Sequence, residues 1–472
     1  MKDIVSKLHR AFNPRSVAVV GDKREMDYMW LRNLAHFQGK VYSVQIDEQE
    51  LPGIEALRVK NYYRLLDIPD EVDYVIVAVP RAAAPQIIRD CIEKKVGGVM
   101  LFTSGFAETN TEEGIRLQQI ITEMAKEAGL NLIGPNCMGI FNPRIGLLNA
   151  ADQYYGDGGP VGFISQSGTY AIFFSLIGAA HGIKVSKSVS YGNAVVLDST
   201  DYMEYLAEDE ETKIIGMYIE GVKNGRRFFT SLREIAKRKP VLIWKGGMTE
   251  EGSRATATHT ASLAESPLIW DAVIKQCGAI KVDSLDEMID TIKALLYLKP
   301  TTGKRVGLAA MTGGQSVVIT DTFAKAGLEV PLLTEKSYQK FATFFNIIGS
   351  SYRNPLDISS NLRSLDNITR CIDILNEDER IDSVVLELSL GLLTRRARSI
   401  GTSFDDLFEA LAQRKDRYDK PFLVVLFSGP EESVATEVRE MLMAKGLSSF
   451  PSFERGAKAL NKVVEYYRFH RL

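Results

Sequence analysis

The chain is poor in cysteine and histidine and has no excess of basic over acidic residues. Among its 472 residues are only 4 cysteines and 5 histidines, and Cys91, Cys137, Cys277 and Cys371 are widely scattered. This spacing matches neither a metal-ligand pattern nor a disulfide framework, so we expect no metal site and a reducing cytoplasm. The formal net charge is −3, so no excess of basic residues indicates nucleic-acid binding.

Long apolar runs and the common nucleotide-binding motifs are also missing. The N-terminus, MKDIVSKLHR, carries charge without an apolar core, and no apolar run is long enough to cross a membrane. We therefore expect neither a secretory signal nor a membrane partner. The glycine that ends the first predicted strand, Gly21, is followed by DKREM instead of a G-x-G-x-x-G pattern, and no P-loop occurs. These absences argue against a standard NAD site.

Short β-branched apolar runs alternate with amphipathic segments along the whole chain. This alternation is typical of α/β folds with parallel sheets. In the first block it predicts a Rossmann-like domain that ends near residue 150. Its expected strands are 16–21, 40–45, 72–80, 97–102 and 130–135, with helices near 82–94 and 111–128.

Two further sets of strands follow the linkers YYGDGGP (154–160) and LKPTTGK (298–304). The second set is 161–165, 184–190, 213–220 and 239–246; the third is 305–311, 384–389 and 421–429, with a terminal helix at 461–472. Segments 159–171 and 303–318 share one plan, which is an apolar strand, a loop of Ser, Thr and Gly, and then a helix. Such a loop either places an anion at the helix N-terminus or serves only as a tight turn.

Two segments suggest phosphate chemistry. SQSGT (165–169) offers hydroxyls and a glycine where a helix begins, so it is either a phosphate cradle or an ordinary N-cap. Glu220 follows a strand in YIEG, at the sheet edge where parallel sheets bind ligands. Its carboxylate is either an acceptor that orients an imidazole or an exposed side chain at a strand end.

The segment RATATHTASLAES (254–266) places His259 among small residues in what we predict to be a Thr-rich mobile loop. A neutral imidazole is a competent nucleophile toward phosphorus, although the loop by itself favours an exposed histidine without a role. Cys137, in GPNCMGIFNP, is better explained as a buried small residue than as a nucleophile. Asp357, in NPLDISS, fits a structural turn or a ligand-edge loop equally well.

Eight segments in this order resemble one family. They are RSVAVVG, GPNCMGIFNP, GFISQSGTYA, SYGNAVVLDSTDYMEYLAEDEETK, YIEGVKNGRRF, HTASLAES, MTGGQS and NPLDISS. The chain is similar, over nearly its whole length, to the α subunit of NDP-forming (ADP-forming) acyl-CoA synthetases, which are related to succinyl-CoA synthetase. The resemblance implies a CoA-binding Rossmann-like domain (1–150) and two flavodoxin-like ligase domains (151–300, with the phosphohistidine loop, and 301–472).

The resemblance also implies a reaction and its residues. Acyl-CoA and phosphate would give acyl phosphate and CoA, and the phosphoryl group would pass to His259 and then to ADP to form ATP. Glu220 would support the histidine. The phosphate-binding residues would be Ser165, Gln166, Ser167 and Gly168, and the CoA contacts would be Gly21, Val79, Pro80, Thr103 and Asn136.

Some features depart from the family pattern. The loop after the first strand is shortened to GDKREMDYMW (21–30), with Tyr28, Met29 and Trp30 where the family has small residues. Ala261 and Glu265 replace two glycines of the histidine segment. Because the chain ends after the third domain, we expect ADP, ATP and Mg²⁺ to bind on a separate ATP-grasp β subunit, within an oligomer. The alternative functions are a non-catalytic CoA- or acyl-CoA-binding regulatory protein and a different acyl- or carbamoyl-transferring relative with the same three domains.

Overall fold

The chain consists of two units, Met1–Leu285 and Asp286–Leu472. The computed structural model describes residues 2–260, 266–362, 364–394, 404–429 and 431–471. For residues 2–3 and 257–260 only the backbone is described. Among the helices of these ranges, none combines the length and the apolar character needed to cross a membrane.

The first sheet of the first unit has six parallel strands in the order β3-β2-β1-β4-β5-β6. This is the strand order of a dinucleotide-binding Rossmann sheet. The strands are β1 (Ser16–Val20), β2 (Lys40–Val44), β3 (Lys60–Tyr62), β4 (Tyr74–Val77), β5 (Gly98–Leu101) and β6 (Leu132–Ile133). The helices are α1 (Lys2–Phe12), α2 (Met29–Asn33), α3 (Leu51–Ala56), α4 (Ala84–Lys94) and α5 (Glu112–Glu127).

The second sheet of the same unit has the order β12-β11-β10-β8-β9-β7, in which only β7 is antiparallel to its neighbour. Without β7 this is the flavodoxin-like order. The strands are β7 (Gly139–Phe141), β8 (Val161–Ser165), β9 (Val185–Ser190), β10 (Ile214–Ile219), β11 (Val241–Lys245) and β12 (Ile280–Val282). The helices are α6 (Gly168–Ala180), α7 (Ser199–Glu208), α8 (Gly225–Ala236), α9 (Glu250–Thr260) and α10 (Pro267–Cys277).

The second unit contains a five-stranded parallel sheet of the order β14-β13-β15-β16-β17, which is again flavodoxin-like. The strands are β13 (Val306–Ala310), β14 (Leu356–Asp357), β15 (Ser383–Ser389), β16 (Phe422–Phe427) and β17 (Ser449–Phe450). The helices are α11 (Leu285–Tyr297), α12 (Gly313–Lys325), α13 (Glu335–Ala342), α14 (Leu365–Glu377), α15 (Phe404–Arg417), α16 (Glu432–Ala444) and α17 (Phe453–His470).

The central strands explain why these sheets are parallel. SVAVV in β1 and VGLAA in β13 are buried at every position. A strand that is apolar on both faces must be covered on both faces, which the crossover helices of a parallel sheet provide. The α/β class and the central strands predicted above are therefore confirmed. The strands missed from sequence are short ones: β3, β7, β12, β14 and β17.

Two helices differ from the prediction. The terminal helix begins at Phe453, earlier than expected, after the N-cap Ser452. The segment around His259 was predicted as a loop, and for residues 254–260 that was wrong, because α9 runs to Thr260. Acidic residues in its first turn and a Glu250–Arg254 ion pair one turn apart favour the helix.

Candidate functional site

A cleft of about 530 Å³ lies at the carboxyl edge of the first sheet. Its position between β1 and β4 is the topological switch point, where open α/β sheets bind ligands. The residues predicted to contact CoA lie together here, and they are Gly21, Val79, Pro80, Thr103 and Asn136. Gly21 has a φ of +86°, and a Cβ on it would lie 2.5 Å from Val79 Cγ1. A side chain at position 21 would therefore both strain the backbone and enter the cleft wall.

Two bulky residues of the 21–30 loop, Met29 and Trp30, line this cleft. Tyr28 and Trp30 are 5% and 1% exposed, and both belong to the hydrophobic core. The Tyr28 hydroxyl donates to Glu50 Oε2 at 2.8 Å, which ties the loop to the chain after β2. Asp22 Oδ2 accepts the Leu31 N–H at 2.9 Å, while burial raises the pKa of this carboxyl group. The shortened loop is thus folded inward.

Two basic side chains line the same cleft, Lys23 and Arg81. Arg81 was not singled out from sequence. Its guanidinium donates to the Gly105 carbonyl at 2.5 Å and to Glu113 Oε2 at 2.7 Å, so it is held in place. The sequence did contain a signal for Arg81. This residue directly follows the predicted strand 72–80, and ligands bind at the carboxyl ends of parallel strands.

The turn that contains Asn136 connects the two sheets of the first unit. Asn136 has a φ of +60°, and its N–H donates to the Thr103 carbonyl at 3.1 Å. A Cβ on Gly192, from the loop after β9, would lie only 2.2 Å from the Asn136 carbonyl oxygen. The neighbouring Cys137 is buried, and burial raises the pKa of its thiol to about 12. A protonated, buried thiol agrees with a structural role for Cys137.

The N-terminus of α6 borders a second cleft, of about 270 Å³. Gln166, Ser167 and Gly168 line it, whereas the Ser165 hydroxyl is turned inward and accepts the Ser167 N–H at 3.2 Å. Ser167 is the N-cap, and its hydroxyl accepts the Tyr170 N–H. The first amides of a helix lack intrahelical acceptors and carry the positive end of the dipole. This end of α6 is suited to an anion.

Glu220 lies directly after β10 and is 5% exposed. Its N–H donates to Gln166 Oε1 at 2.8 Å, which joins it to the start of α6. Its Oε1 accepts the Tyr218 hydroxyl at 3.2 Å, and burial together with this carboxylate raises the pKa of Tyr218. The Lys245 ammonium donates to the Glu220 carbonyl at 2.8 Å. The turn that carries the carboxylate is therefore held from both neighbouring strands.

A third cleft, of about 720 Å³, lies between the start of α6 and helix α9. Glu220 and Ser167 line one side, and Gly252, Ala255 and Thr256 line the other. The side chain of His259 lies outside the described residues, as do Ala261 and Glu265 entirely. The backbone of His259 is in the last turn of α9. Position 259 comes four residues after Ala255 and three after Thr256, so it lies on the helix face that lines the cleft.

Helix α9 is held close to both sheets of the first unit. A Cβ on Gly247, which has a φ of +75°, would lie 2.6 Å from the Thr256 Oγ1. The helix also contacts the short 3₁₀ turn Ala107–Thr109 of the first sheet's connections. Within the described residues, no cluster of three or more His, Cys, Asp or Glu side chains could hold a metal ion.

Comparison with known families agrees with this arrangement. Residues 15–143 match the model of a CoA binding domain, and residues 158–295 match that of a succinyl-CoA ligase like flavodoxin domain. These matches define a CoA-ligase class of protein and cover the two sheets that form the clefts.

Individual relatives narrow this class. The α subunits of acetate–CoA ligases [ADP-forming] II and I of Pyrococcus furiosus are 35% and 33% identical. The alignments cover 96% and 98% of this chain and the same shares of those proteins. The chain belongs to the family of α subunits of ADP-forming acetate–CoA ligases. A similar structure has been solved for the dinucleotide-forming acetyl-coenzyme A synthetase 1 of Ca. Korarchaeum cryptofilum in complex with phosphate and ADP. The TM-score is 0.83 at 29% sequence identity, and the match covers 98% of this chain and 97% of that one.

Proposed function

We propose that the chain is the α subunit of an ADP-forming acyl-CoA synthetase, which converts acyl-CoA, phosphate and ADP to carboxylic acid, CoA and ATP. The observation that carries this proposal is a row of three neighbouring clefts in the first unit. A cleft at the Rossmann switch point shares Phe102 and Asn136 with a cleft at the start of α6, and that helix start also borders the cleft beside α9.

In the first step, phosphate at the α6 N-terminus attacks the thioester carbonyl of acyl-CoA. The C–S bond breaks, and the products are acyl phosphate and CoA. Lys23 and Arg81 are placed to bind phosphate groups of CoA in the larger cleft. The amides of Gly168 and its neighbours stabilise the negative charge of the phosphoryl group.

In the second step, the imidazole of His259 takes the phosphoryl group, and the carboxylate leaves. A phosphorylated imidazole carries a proton on its other nitrogen, and Glu220 is the acceptor that we propose for it. In the third step, the phosphoryl group passes to ADP and gives ATP. The position of residue 259 on the α9 face that borders the Glu220 cleft supports this assignment.

We further propose that ADP, ATP and Mg²⁺ bind on a separate ATP-grasp β subunit. The relatives named above are α subunits, which supports a partner chain. Helix α9 borders an open cleft, so a phosphorylated residue near its end has a route to that partner.

The test is to purify the chain with its β subunit, add acyl-CoA, phosphate and ADP, and measure ATP and acid-labile phosphate on protein. The wild type should form both, and His259→Asn should form neither. The matched control is His9→Asn, at an exposed position in α1, which should behave as the wild type. Full activity of His259→Asn would refute the residue assignment.

The second candidate is a non-catalytic protein that binds CoA or acyl-CoA. The inward-folded 21–30 loop is the feature that favours it, because the loop departs from the family pattern. Saturable CoA binding without phosphohistidine for any acyl-CoA tested would support this candidate and refute the ligase.

A further inference from the structure

Tyr218 and Glu220 lie two positions apart, at the end of β10 and in the turn that follows it, and their side chains meet. Alternate residues of an extended strand project to the same face of the sheet. The Tyr218 hydroxyl donates to Glu220 Oε1 at 3.2 Å, while Ile219 between them is fully buried. The spacing Y-x-E therefore places a hydroxyl donor beside the carboxylate that we assign to His259.

The Tyr218 ring is held by two aromatic neighbours from different elements. Its centroid lies 4.7 Å from those of Tyr170 on α6 and Trp244 on β11, and the Tyr170 and Trp244 centroids are 4.6 Å apart. Tilted and edge-on arrangements at this spacing are favourable for aromatic pairs. The ring is thus fixed from two sides, and its hydroxyl is kept beside Glu220.

Gly246, directly after β11, leaves room for the Tyr218–Glu220 hydrogen bond. A Cβ at this position would lie 2.9 Å from the Tyr218 hydroxyl oxygen and 3.4 Å from Glu220 Cγ. The Gly246 N–H donates to the Ile219 carbonyl at 2.8 Å, which holds the glycine backbone against β10. A side chain at position 246 would therefore push the hydroxyl away from the carboxylate.

The Tyr218 hydroxyl is a hydrogen-bond donor at neutral pH. Burial, together with the Glu220 carboxylate, raises the pKa of Tyr218, so the tyrosine keeps its proton. A hydrogen bond from a neutral donor to a charged acceptor is stronger than one between two neutral groups. The contact between this hydroxyl and the carboxylate is therefore able to fix the orientation of Glu220.

We propose that Tyr218 is a positioning residue for phosphoryl transfer, which fixes Glu220 in the orientation that accepts the imidazole N–H of His259. The proposal rests on the ligase function proposed above. With Oε1 bound to the tyrosine hydroxyl, the plane of the carboxylate is set, and Oε2 is the oxygen that we assign to the imidazole. Without the hydroxyl the carboxylate rotates, the imidazole loses a fixed acceptor, and phosphoryl transfer slows.

The experiment measures the transfer of label from the γ-phosphate of ATP to His259 in the complete complex with its β subunit, which needs no acyl-CoA. Tyr218→Phe removes the hydroxyl and keeps the ring. It should slow labelling about tenfold, the usual loss of a hydrogen bond to a charged group, and leave the KM for ATP unchanged. The matched control is Tyr205→Phe on α7, which also removes a buried, hydrogen-bonded hydroxyl and should label at the wild-type rate.

A double-mutant cycle separates positioning from a merely structural role. The carboxylate of Glu220→Asp is one methylene too short for the 3.2 Å contact, so adding Tyr218→Phe to this variant should cause no further loss. A structural role of the tyrosine would instead give the same loss in both backgrounds. Gly246→Ala gives a second cycle, because its Cβ displaces the hydroxyl. It should slow labelling of the wild type and add little to Tyr218→Phe.

The outcomes distinguish this proposal from the ligase function. If the wild type takes up label and Tyr218→Phe takes it up equally fast, or if its loss multiplies with that of Glu220→Asp, the positioning role is overturned and the ligase function stands. If the wild type takes up no label, the ligase function fails, and the positioning role fails with it. Thermal unfolding checks each variant. If Tyr218→Phe does not fold, wild-type labelling of Gly246→Ala overturns the positioning role.

Discussion

The starts of α6 and α12, one in each unit, follow the same plan but differ in their electrostatics. Each helix follows a buried strand and begins with glycine. Each has a hydroxyl N-cap, Ser167 in the first and Thr312 in the second. The shared plan of segments 159–171 and 303–318 is therefore confirmed in the structure.

The difference lies in the side chain that accepts a backbone N–H beside each helix start. At α6 it is the neutral amide of Gln166, whose Oε1 accepts the Glu220 N–H. At α12 it is the carboxyl of Glu387, which accepts the Met311 N–H at 2.7 Å. Burial raises the pKa of Glu387 to about 7. The charge beside α12 thus depends on pH near neutrality, while the amide beside α6 cannot titrate.

The largest expected effect comes from giving the first helix start a carboxyl group like that of the second. Gln166→Glu keeps an acceptor for the Glu220 N–H and adds negative charge where we propose that phosphate binds. We expect kcat/KM for ATP formation to fall about 10²–10³-fold, the usual effect of losing oxyanion stabilisation.

The matched control for this change is Gln119→Glu, at an exposed position of α5, which should retain the wild-type rate. Thermal unfolding of both variants checks that they are folded. A folded Gln166→Glu variant with wild-type kcat/KM would show that this helix start does not bind the reacting phosphate.

A smaller effect concerns the second helix start and pH. In the folded protein the pKa of Glu387 lies above its ordinary value of 4.5. The protonated carboxyl group therefore contributes fully to stability below pH 4.5, and this contribution is lost as the pH rises to about 7. The difference corresponds to about 3 kcal/mol. Relative to Glu387→Gln, the wild type should lose about this much unfolding free energy between pH 4.5 and about pH 8.

Urea unfolding at several pH values measures this difference, with Glu437→Gln at an exposed position of α16 as the control. If the wild type and Glu387→Gln have parallel pH profiles, Glu387 is not buried as an acid, and the contrast between the two helix starts disappears.

The smallest expected effect comes from the N-cap hydroxyl groups that both helix starts have. Ser167→Ala and Thr312→Ala each remove a hydroxyl that accepts a backbone N–H, from Tyr170 and Gln315 respectively. Each should lower the free energy of unfolding by about 1 kcal/mol. Thermal or urea unfolding compares the two, and a much larger loss for one of them would mean that the caps are not equivalent.

The local sequence was enough to predict the α/β class, the central strands and the capped helix starts. Strands such as β1 and β13 are continuous apolar runs, and their identity needs no knowledge of distant residues. Edge strands of two or three residues, such as β3 and β17, are defined by pairing with a neighbour, which a single sequence does not contain.

The residues of the candidate site also divide into those that the sequence reveals and those that it does not. Gln166 and Gly168 could be found because a helix start has a local signature. Phe102 and Met138 could not, because only the folded chain brings them to one cleft from two different loops. The helical form of residues 254–260 was missed because the threonines of this segment and the preceding Gly252 have low helix propensity, which outweighed the acidic first turn and the Glu250–Arg254 pair.

Gly192 limits which substitutions and domain exchanges the protein can accept. It belongs to the flavodoxin domain, yet any side chain there would collide with the Asn136 carbonyl of the CoA-binding domain. Asn136 borders the clefts at both the Rossmann edge and the α6 start. A domain taken from another relative must therefore fit this contact, because a shift at Asn136 changes both clefts together.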